Sequence, residues 1–422
     1  MNWIKKKLGE VLTIERGGSP RPIDKYLTNS PEGINWIKIS DATASDKYIY
    51  ETKEKITKDG LHKTRVVNEG DFILSNSMSF GRPYIMKSTG CIHDGWLVLK
   101  QNGKQIFEIE FLYYLLSSPF VFQQFNSKAA GSTVRNLNIA LVSSVDVLIP
   151  PLPEQQRIVS ILDECFSAID KAKANAEQNL KNARELFESY LQGVFEKRSL
   201  NHDSSDLYDS PDSKNQGNQE NHKNRGSDNL QGVFEKKGDC WEEQLLEDCF
   251  KMKSGDNLTA KNMTEGEYPV FGGNGIAGYH NDYNLSGSNV IIGRVGALCG
   301  NVRHINENIW LTDNAFKVVD YKFDFDNSFL TYLLNYKDLR SYARQAAQPV
   351  ISNSSLKDVV LHFPKSKEQQ QTIVRQLDAL RAETKRLEAI YQQKLLNLEE
   401  LKKSVLQKAF SGKLSEPLIN TD

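Results

Sequence analysis

Two stretches of this chain carry an apolar stripe at helical spacing. From Ile158 the stripe runs through Leu162, Cys165, Ile169, Ala172, Ala176, Leu180, Ala183, Phe187, Tyr190 and Val194, in steps of four and three broken by one pair of consecutive fours. Adding 215 to each number gives Ile373, Leu377, Leu380, Thr384, Leu387, Tyr391, Leu395, Leu398, Lys402, Val405 and Ala409. The extra step is a stutter, which locally unwinds a left-handed supercoil, and both stripes place it between the same positions. Lys402 is the one charged misfit. Each stretch follows a proline-bearing lead (IPPLPEQQ, FPKSKEQQ) and has no proline afterwards, so each predicts a helix of about 45 residues, roughly 67 Å long at 1.5 Å per residue. Such a long, narrow stripe needs a partner, and the other helix of the same chain is the simplest one. The alternative is that each helix lies on its own globular block.

The regions between the helices follow a different period. DFILSN, WLVLK, VDVLIP, SNVIIG, FKVVD and DVVLHFP are short runs of β-branched and aromatic residues bounded by Gly, Asn and Asp, as strands are. FEIEFLYYLLSSPFVFQQF and NSFLTYLLNYKDLRSYARQ read as helices. Each block is therefore α+β, with more strand than helix.

The plan repeats. Trp3, Leu8 and Gly17 lie 238 positions before Trp241, Leu246 and Gly255; FLYYLL at Phe111 is echoed by FLTYLL at Phe329; EQQRIVSILD at Glu154 is echoed by EQQQTIVRQLD at Glu368. The order is a block over 1–150, a helix over 151–198, a linker over 199–240, a block over 241–364, a helix over 365–415 and a tail over 416–422. Ser199 to Asn229 contains no Ile, Val, Phe, Met or Trp and cannot build a core, so a flexible linker is expected. LQGVFEK at Leu191 to Lys197 returns unchanged at Leu230 to Lys236, which marks residues 198–236 as an insertion carrying a duplicated helix end.

Charge and chemistry change this picture little. The net charge is −1, but residues 1–150 hold 19 Lys+Arg against 15 Asp+Glu, whereas residues 241–364 hold 11 against 15. A nucleic-acid partner would therefore meet placed cations in the second block rather than a basic field. The five cysteines are scattered and never in CxxC spacing, which predicts reduced thiols and no metal site. No apolar run reaches the length of a membrane span, and the expected location is the cytoplasm. GGNGIAG satisfies GxGxxG at Gly273, Gly275 and Gly278, yet turn formers follow where a dinucleotide fingerprint needs a helix; a loop allowing close backbone approach fits better. His93 and Asp94 in CIHDGW lack a serine or cysteine elbow. No credible active site is present, and no catalytic residue is assigned.

What remains is a set of Gly-, Asn-, Ser- and Arg-rich loops at matching places. Arg and Asn can each grip a purine edge by two hydrogen bonds. The candidate DNA contacts are Arg21, Asn76, Ser77, Arg82, Arg135 and Asn136 in the first block, and Asn274, Tyr279, His280, Arg294, Asn301, Arg303 and Asn353 in the second. Candidate coil contacts are Ile158, Leu162, Ile169, Leu180, Phe187, Ile373, Leu377, Leu387, Leu395 and Leu398.

Taken together, the twice-repeated block and helix, the IPPLPEQQRIVSILD and FPKSKEQQQTIVRQLD segments, the terminal LQKAFSGKL, and the loops SNSMSFGRPY and YPVFGGNGIAGY resemble the specificity subunits of type I restriction-modification systems. The resemblance implies two target-recognition domains on an antiparallel coiled coil, each reading half of a split double-stranded DNA site. It implies no chemistry on the subunit and no cofactor of its own. Two methyltransferase subunits would supply S-adenosylmethionine and methylate one adenine per half-site; restriction and translocase subunits would bring ATP and Mg. The coil would then act as a ruler for the spacer. Arg82 and Arg294, each beside a glycine in corresponding loops, are expected to contact DNA. The readings from other classes are a protein-binding coiled-coil scaffold and a nucleotide-dependent enzyme using GGNGIAG.

Overall fold

A computed structural model describes residues 3–76, 80–101, 103, 105–129, 136–196, 241–344 and 348–411. The chain divides into two compact units. One takes residues up to 178 together with those from 391 onward, the other residues 179–390. Each unit holds one α+β block, part of the first long helix and part of the second.

In the first unit, β1 (Ile4–Lys7) leads into the short helix α1 (Leu8–Val11) and β2 (Leu12–Arg16); β3 (Tyr48–Ile49), β4 (Phe72–Ser75), β5 (Pro83–Met86) and β6 (Trp96–Gln101) follow. The main sheet has the order β2-β6-β4-β5-β3, antiparallel except for the β5/β3 pair. A second five-stranded sheet includes Ile34–Ile37 and Gly90–Ile92. Helices α2 (Ile109–Leu116) and α3 (Pro119–Ala129) precede β7 (Asp146–Ile149), which returns antiparallel to β1 and delivers the chain to the long helix α4 (Leu152–Glu196). The single helix expected over FEIEFLYYLLSSPFVFQQF is two, because Ser118 precedes a proline and caps back onto Leu115 O at 2.6 Å.

The second unit repeats this route. β8 (Trp241–Leu245), α5 (Leu246–Cys249) and β9 (Lys251–Ser254) match β1, α1 and β2. They lead to the hairpin of β10 (Tyr268–Gly272) and β11 (Gly275–His280), then β12 (Asn289–Gly293), β13 (Val302–Ile305), β14 (Ala315–Val319), helix α6 (Asn327–Tyr336), β15 (Val360–Pro364) and the long helix α7 (Lys367–Phe410). The main sheet here is β9-β14-β12-β13, antiparallel throughout, and β8 pairs with β15 as β1 does with β7. The helical run stops at Tyr336 because Asp338 adopts a left-handed φ of 45° before a short 3₁₀ turn.

The long helices pair antiparallel inside each unit. In the first, Lys173 Nζ meets Glu399 Oε1 at 2.6 Å and Lys402 Nζ meets Asp170 Oδ1 at 3.7 Å, so numbers rise along one helix as they fall along the other. In the second, Tyr190 OH donates to Gln376 Oε1 at 3.3 Å and Arg184 lies 4.0 Å from Glu388. Every predicted stripe position is buried or half-buried; Ile158, Leu162, Ile169, Ile373 and Leu377 are buried, and Leu180, Phe187, Leu387, Leu395 and Leu398 are half-buried.

The helices also do what the alternative reading described. Ile158, Leu162 and Ile169 join the core of the first block, and Ile373 and Leu377 that of the second. Their C-terminal ends go further than the stripes predict. Leu191, Val194 and Phe195 complete the core of the second block, with Phe195 stacked on Tyr336 at 5.0 Å; Leu406, Ala409 and Phe410 complete that of the first, with Phe410 edge-on to Phe111 at 5.3 Å.

The shared EQQ motif explains how each helix is seated. Gln155 is fully buried: its Oε1 accepts the Glu108 N–H at 2.8 Å and its amide donates to Ile106 O and Pro150 O, both at 2.9 Å. Gln370 does the same for Asp326 N–H (2.8 Å), Asp324 O (3.5 Å) and Pro364 O (2.9 Å). Glu108 and Asp326 are the N-caps of α2 and α6, so one buried amide locks each long helix to a capped short one. About two turns farther along each long helix, Tyr114 donates to Asp163, and Tyr332 to Asp378.

Candidate nucleic-acid interface

Antiparallel order brings the end of β2, the start of β6, the end of β4 and the start of β5 to one end of the main sheet of the first unit. The ends of β9 and β12 and the starts of β14 and β13 meet likewise in the second. The loops rich in Gly, Asn and Arg leave from these ends.

The β4–β5 and β12–β13 loops are closed by one hydrogen-bond pattern. Asn76 N donates to Gly95 O (3.0 Å) and Asn76 O accepts from Leu137 N (2.8 Å); Arg294 N donates to Asn314 O (2.9 Å) and Arg294 O accepts from Ile351 N (2.9 Å). At the other end Gly81 N donates to Ser75 O, and Gly300 N to Gly293 O, both at 2.8 Å. Gly81 and Gly300 have φ of +76° and +88°, a backbone that a side chain would strain. The loops that hold Arg82 and Arg294 correspond as expected, although the two residues themselves do not. They stand at opposite ends of equivalent loops: Arg82 matches Asn301, and Arg294 matches Asn76.

This pairing extends to side chains. Asn76 Nδ2 donates to Asp94 O at 2.8 Å, and Arg294 Nη1 to Asp313 O at 3.3 Å, each bracing the turn that opens β6 or β14. Asn76 is 2% exposed, so its amide is spent inside the protein. The Arg294 guanidinium is half-buried, 5.4 Å from the Phe316 ring. Arg82 is exposed beside the Tyr84 ring (5.2 Å), with Nη2 3.8 Å from Asp46 Oδ1.

A family model described as the type I restriction modification DNA specificity domain matches residues 1–181 and 239–397. The chain belongs to that family. It is 24% identical over 379 residues to the type I restriction enzyme EcoprrI specificity subunit of Escherichia coli, covering 86% of this chain and 84% of the relative. A solved chain from a type I R-M system superposes with a TM-score of 0.71 at 19% identity, covering 98% of both chains. The HsdS subunit from Thermoanaerobacter tengcongensis gives 0.62 at 20% identity, covering 98% of this chain and 97% of that one. At such identities the solved structures speak for the shared fold.

The remaining candidates of this specificity subunit fall into distinct settings. Arg21 is highly exposed, with Nη2 3.5 Å from Asp94 Oδ2. Asn136 and Tyr279 are exposed, whereas His280 is buried with Nδ1 3.1 Å from both Thr264 N and Oγ1 and its ring edge-on to Trp310. Asn274 is exposed but accepts the Leu298 N–H at 2.9 Å, which ties the β10–β11 hairpin to the β12–β13 loop. Asn301 and Arg303 are half-buried, with the Arg303 guanidinium packed beneath Gly275; Asn353 Nδ2 reaches Met252 O at 3.4 Å. Ser77 and Arg135 lie outside the described residues.

GGNGIAG forms a hairpin rather than a strand followed by a helix, and a Cβ on Gly273 would fall 1.8 Å from Val295 O. That is the close backbone approach its glycines predict. His93 is turned to a structural contact: its Nδ1 accepts the Gly95 N–H at 2.9 Å, and burial holds its pKa below the ordinary value. Burial also pushes the Cys91 thiol up to about 11 and the Cys249 thiol to about 12, which leaves both protonated at neutral pH. Among the described residues no cluster of His, Cys, Asp and Glu has the makings of a metal site, and no helix is long and apolar enough to cross a membrane.

The sequence offers Asp94 only as a partner for His93 and gives no sign of its contacts with Ser19 and Arg16. Its carboxylate accepts from Ser19 Oγ at 2.8 Å, and its carbonyl accepts from Arg16 Nε at 3.0 Å. The signal for the turn itself lay in the echo of HDG (His93 to Gly95) by TDN (Thr312 to Asn314), the same turn in both blocks.

Proposed function

We propose that this specificity subunit reads a bipartite double-stranded DNA site, one half with the loop end of each block, and itself performs no chemistry. The observation that carries this reading is the duplicated loop end, in which matching positions hold different side chains: the exposed Arg82 stands where the other block has the half-buried Asn301, and the half-buried Arg294 where the first block has an Asn76 turned inward. A common frame with unlike contacts suits two unlike half-sites, since Arg and Asn favour different bases.

Two methyltransferase subunits dock on this chain and bring S-adenosylmethionine, restriction and translocase subunits bring ATP and Mg, and the complex works in the cytoplasm. The second block carries net negative charge, 11 Lys+Arg against 15 Asp+Glu over residues 241–364, so much of the phosphate attraction there falls to the methyltransferases.

Mapping methylated adenines genome-wide with and without the gene tests this. The expected result is a split motif whose methylation disappears with the chain; an unchanged methylation map rejects the reading.

A further inference from the structure

Asp94 holds together more of the DNA-facing end of its block than any candidate contact does. Its carboxylate accepts a hydrogen bond from Ser19 Oγ (2.8 Å at Oδ1) and pairs with Arg21 Nη2 (3.5 Å at Oδ2), both from the GGSPRP loop. Its carbonyl takes Arg16 Nε (3.0 Å) and Asn76 Nδ2 (2.8 Å), from the end of β2 and the start of the β4–β5 loop. Two loops and the end of one strand thus converge on one turn residue. The Ser19 hydrogen bond is the main cause of a carboxyl pKa below the ordinary range, so the group is an anion at neutral pH.

A fixed anion on a surface that meets phosphates opposes binding. Both of its carboxylate oxygens are already engaged, by Ser19 and Arg21, so its contribution to recognition lies in what it arranges. We propose that Asp94 is a positioning residue for base reading: it aims Arg21 and fixes the GGSPRP loop, lowering general affinity for DNA while raising discrimination at one half-site. The inference rests on the proposed function. The second block organises its matching loop differently. Asp256, which follows Gly255 as Gly18 follows Gly17, accepts Asn284 Nδ2 at 2.8 Å, and Asp313, the counterpart of Asp94, meets the Asn314 amide within its own turn at 3.4 Å. The effect therefore belongs to the first block's half-site alone.

The test uses the full chain assembled with its methyltransferase subunits. Binding is measured to a duplex carrying the motif mapped by methylation, to duplexes with either half scrambled, and to an unrelated duplex. Asp94→Asn keeps the shape and removes the charge; it is expected to lower discrimination at one half-site about tenfold, the worth of one well-aimed side-chain contact, while binding to unrelated DNA holds or tightens. Arg21→Ala should lose discrimination at the same half, and the double variant no more than the worse single one. Ser19→Ala, which loosens the carboxylate without removing it, should give a smaller loss there, and it serves if Asp94→Asn misfolds.

Unaltered discrimination in Asp94→Asn, strictly additive losses, or an equal fall on every duplex with a lowered unfolding temperature would each overturn the positioning role. Failure of the wild-type complex to prefer its mapped motif would instead remove the proposed function, and this inference with it.

Discussion

The Lys402 ammonium lies 5.0 Å from the centre of the Phe166 ring and 3.7 Å from Asp170 Oδ1. The charged misfit of the apolar stripe thus has a ring for its face and a carboxylate for its charge, while its methylenes cover the seam. Phe166, outside the stripe read from the sequence, is 7% exposed and bears the burial. Lys402→Leu is expected to change stability by less than about 1 kcal/mol, because an exposed ion pair contributes little. Phe166→Ala should cost roughly 3 kcal/mol or more. Thermal unfolding of the two variants checks the contrast, and equal losses would contradict it.

Gln155 gives a sharper asymmetry. Removing its amide leaves the Glu108 N–H and the Ile106 and Pro150 carbonyls without their partner, so Gln155→Leu is expected to cost roughly 2–3 kcal/mol even though the substitution is apolar. Its neighbour Gln156 is exposed, and Gln156→Ala should stay within about 0.5 kcal/mol. Denaturant midpoints separate the two; a tolerated Gln155→Leu would mean that the buried amide does not seat the helix.

His93 predicts a pH dependence. Burial, the leading cause, depresses its pKa in the folded chain. The unfolded chain therefore binds the proton first as pH falls. Stability is fully present above the unfolded value of about 6.5 and declines below it, down to the folded value. His93→Gln is expected to lose less stability between pH 7 and pH 5 than the wild type, as read from unfolding temperatures at the two pH values. Parallel curves would refute the assignment.

Arg82 and Arg294 should behave differently when truncated. Arg82 is exposed, so Arg82→Ala is expected to relax one half of the methylated motif with little change in unfolding temperature. Arg294 braces the Asp313 turn and packs on Phe316, so Arg294→Ala should relax the other half and lower stability by about 1 kcal/mol as well. Methylation maps paired with melting curves decide; relaxation of both halves by either variant would refute the assignment of one block to each half-site.

Deletion of residues 198–236 should preserve assembly and the recognised motif. Leu191, Val194 and Phe195 of the first LQGVFEK are already in the core of the second block, and the deletion leaves them in place. Loss of the methylation motif in the deleted chain would make the second copy a working part of the protein.

Much of this architecture is readable in the amino-acid order because it rests on local period and on repetition. The stripes at Ile158 and Ile373, the alternating strands and the 215-residue echo specify two blocks and two long paired helices, since a side chain's face is fixed by its position in a 3.6- or 2-residue period. Breaks inside the helical runs were less legible: Ser118 and Asp338 interrupt stretches that look continuous, while the expected helix ends at 198 and 415 lie outside the described residues.

Tertiary structure alone decided the rest. Arg82 and Arg294 look equivalent because each adjoins a glycine, yet backbone hydrogen bonds across β4–β5 and β12–β13 place them at opposite ends of the loop. His280 and Asn76 have the right chemistry for base contact, but packing against Trp310 and a bond to the Asp94 carbonyl occupy them. Composition names the donors a loop owns. Only the partners brought from distant strands settle which donors remain free to meet DNA, because a hydrogen bond made inside the protein is no longer available outside it.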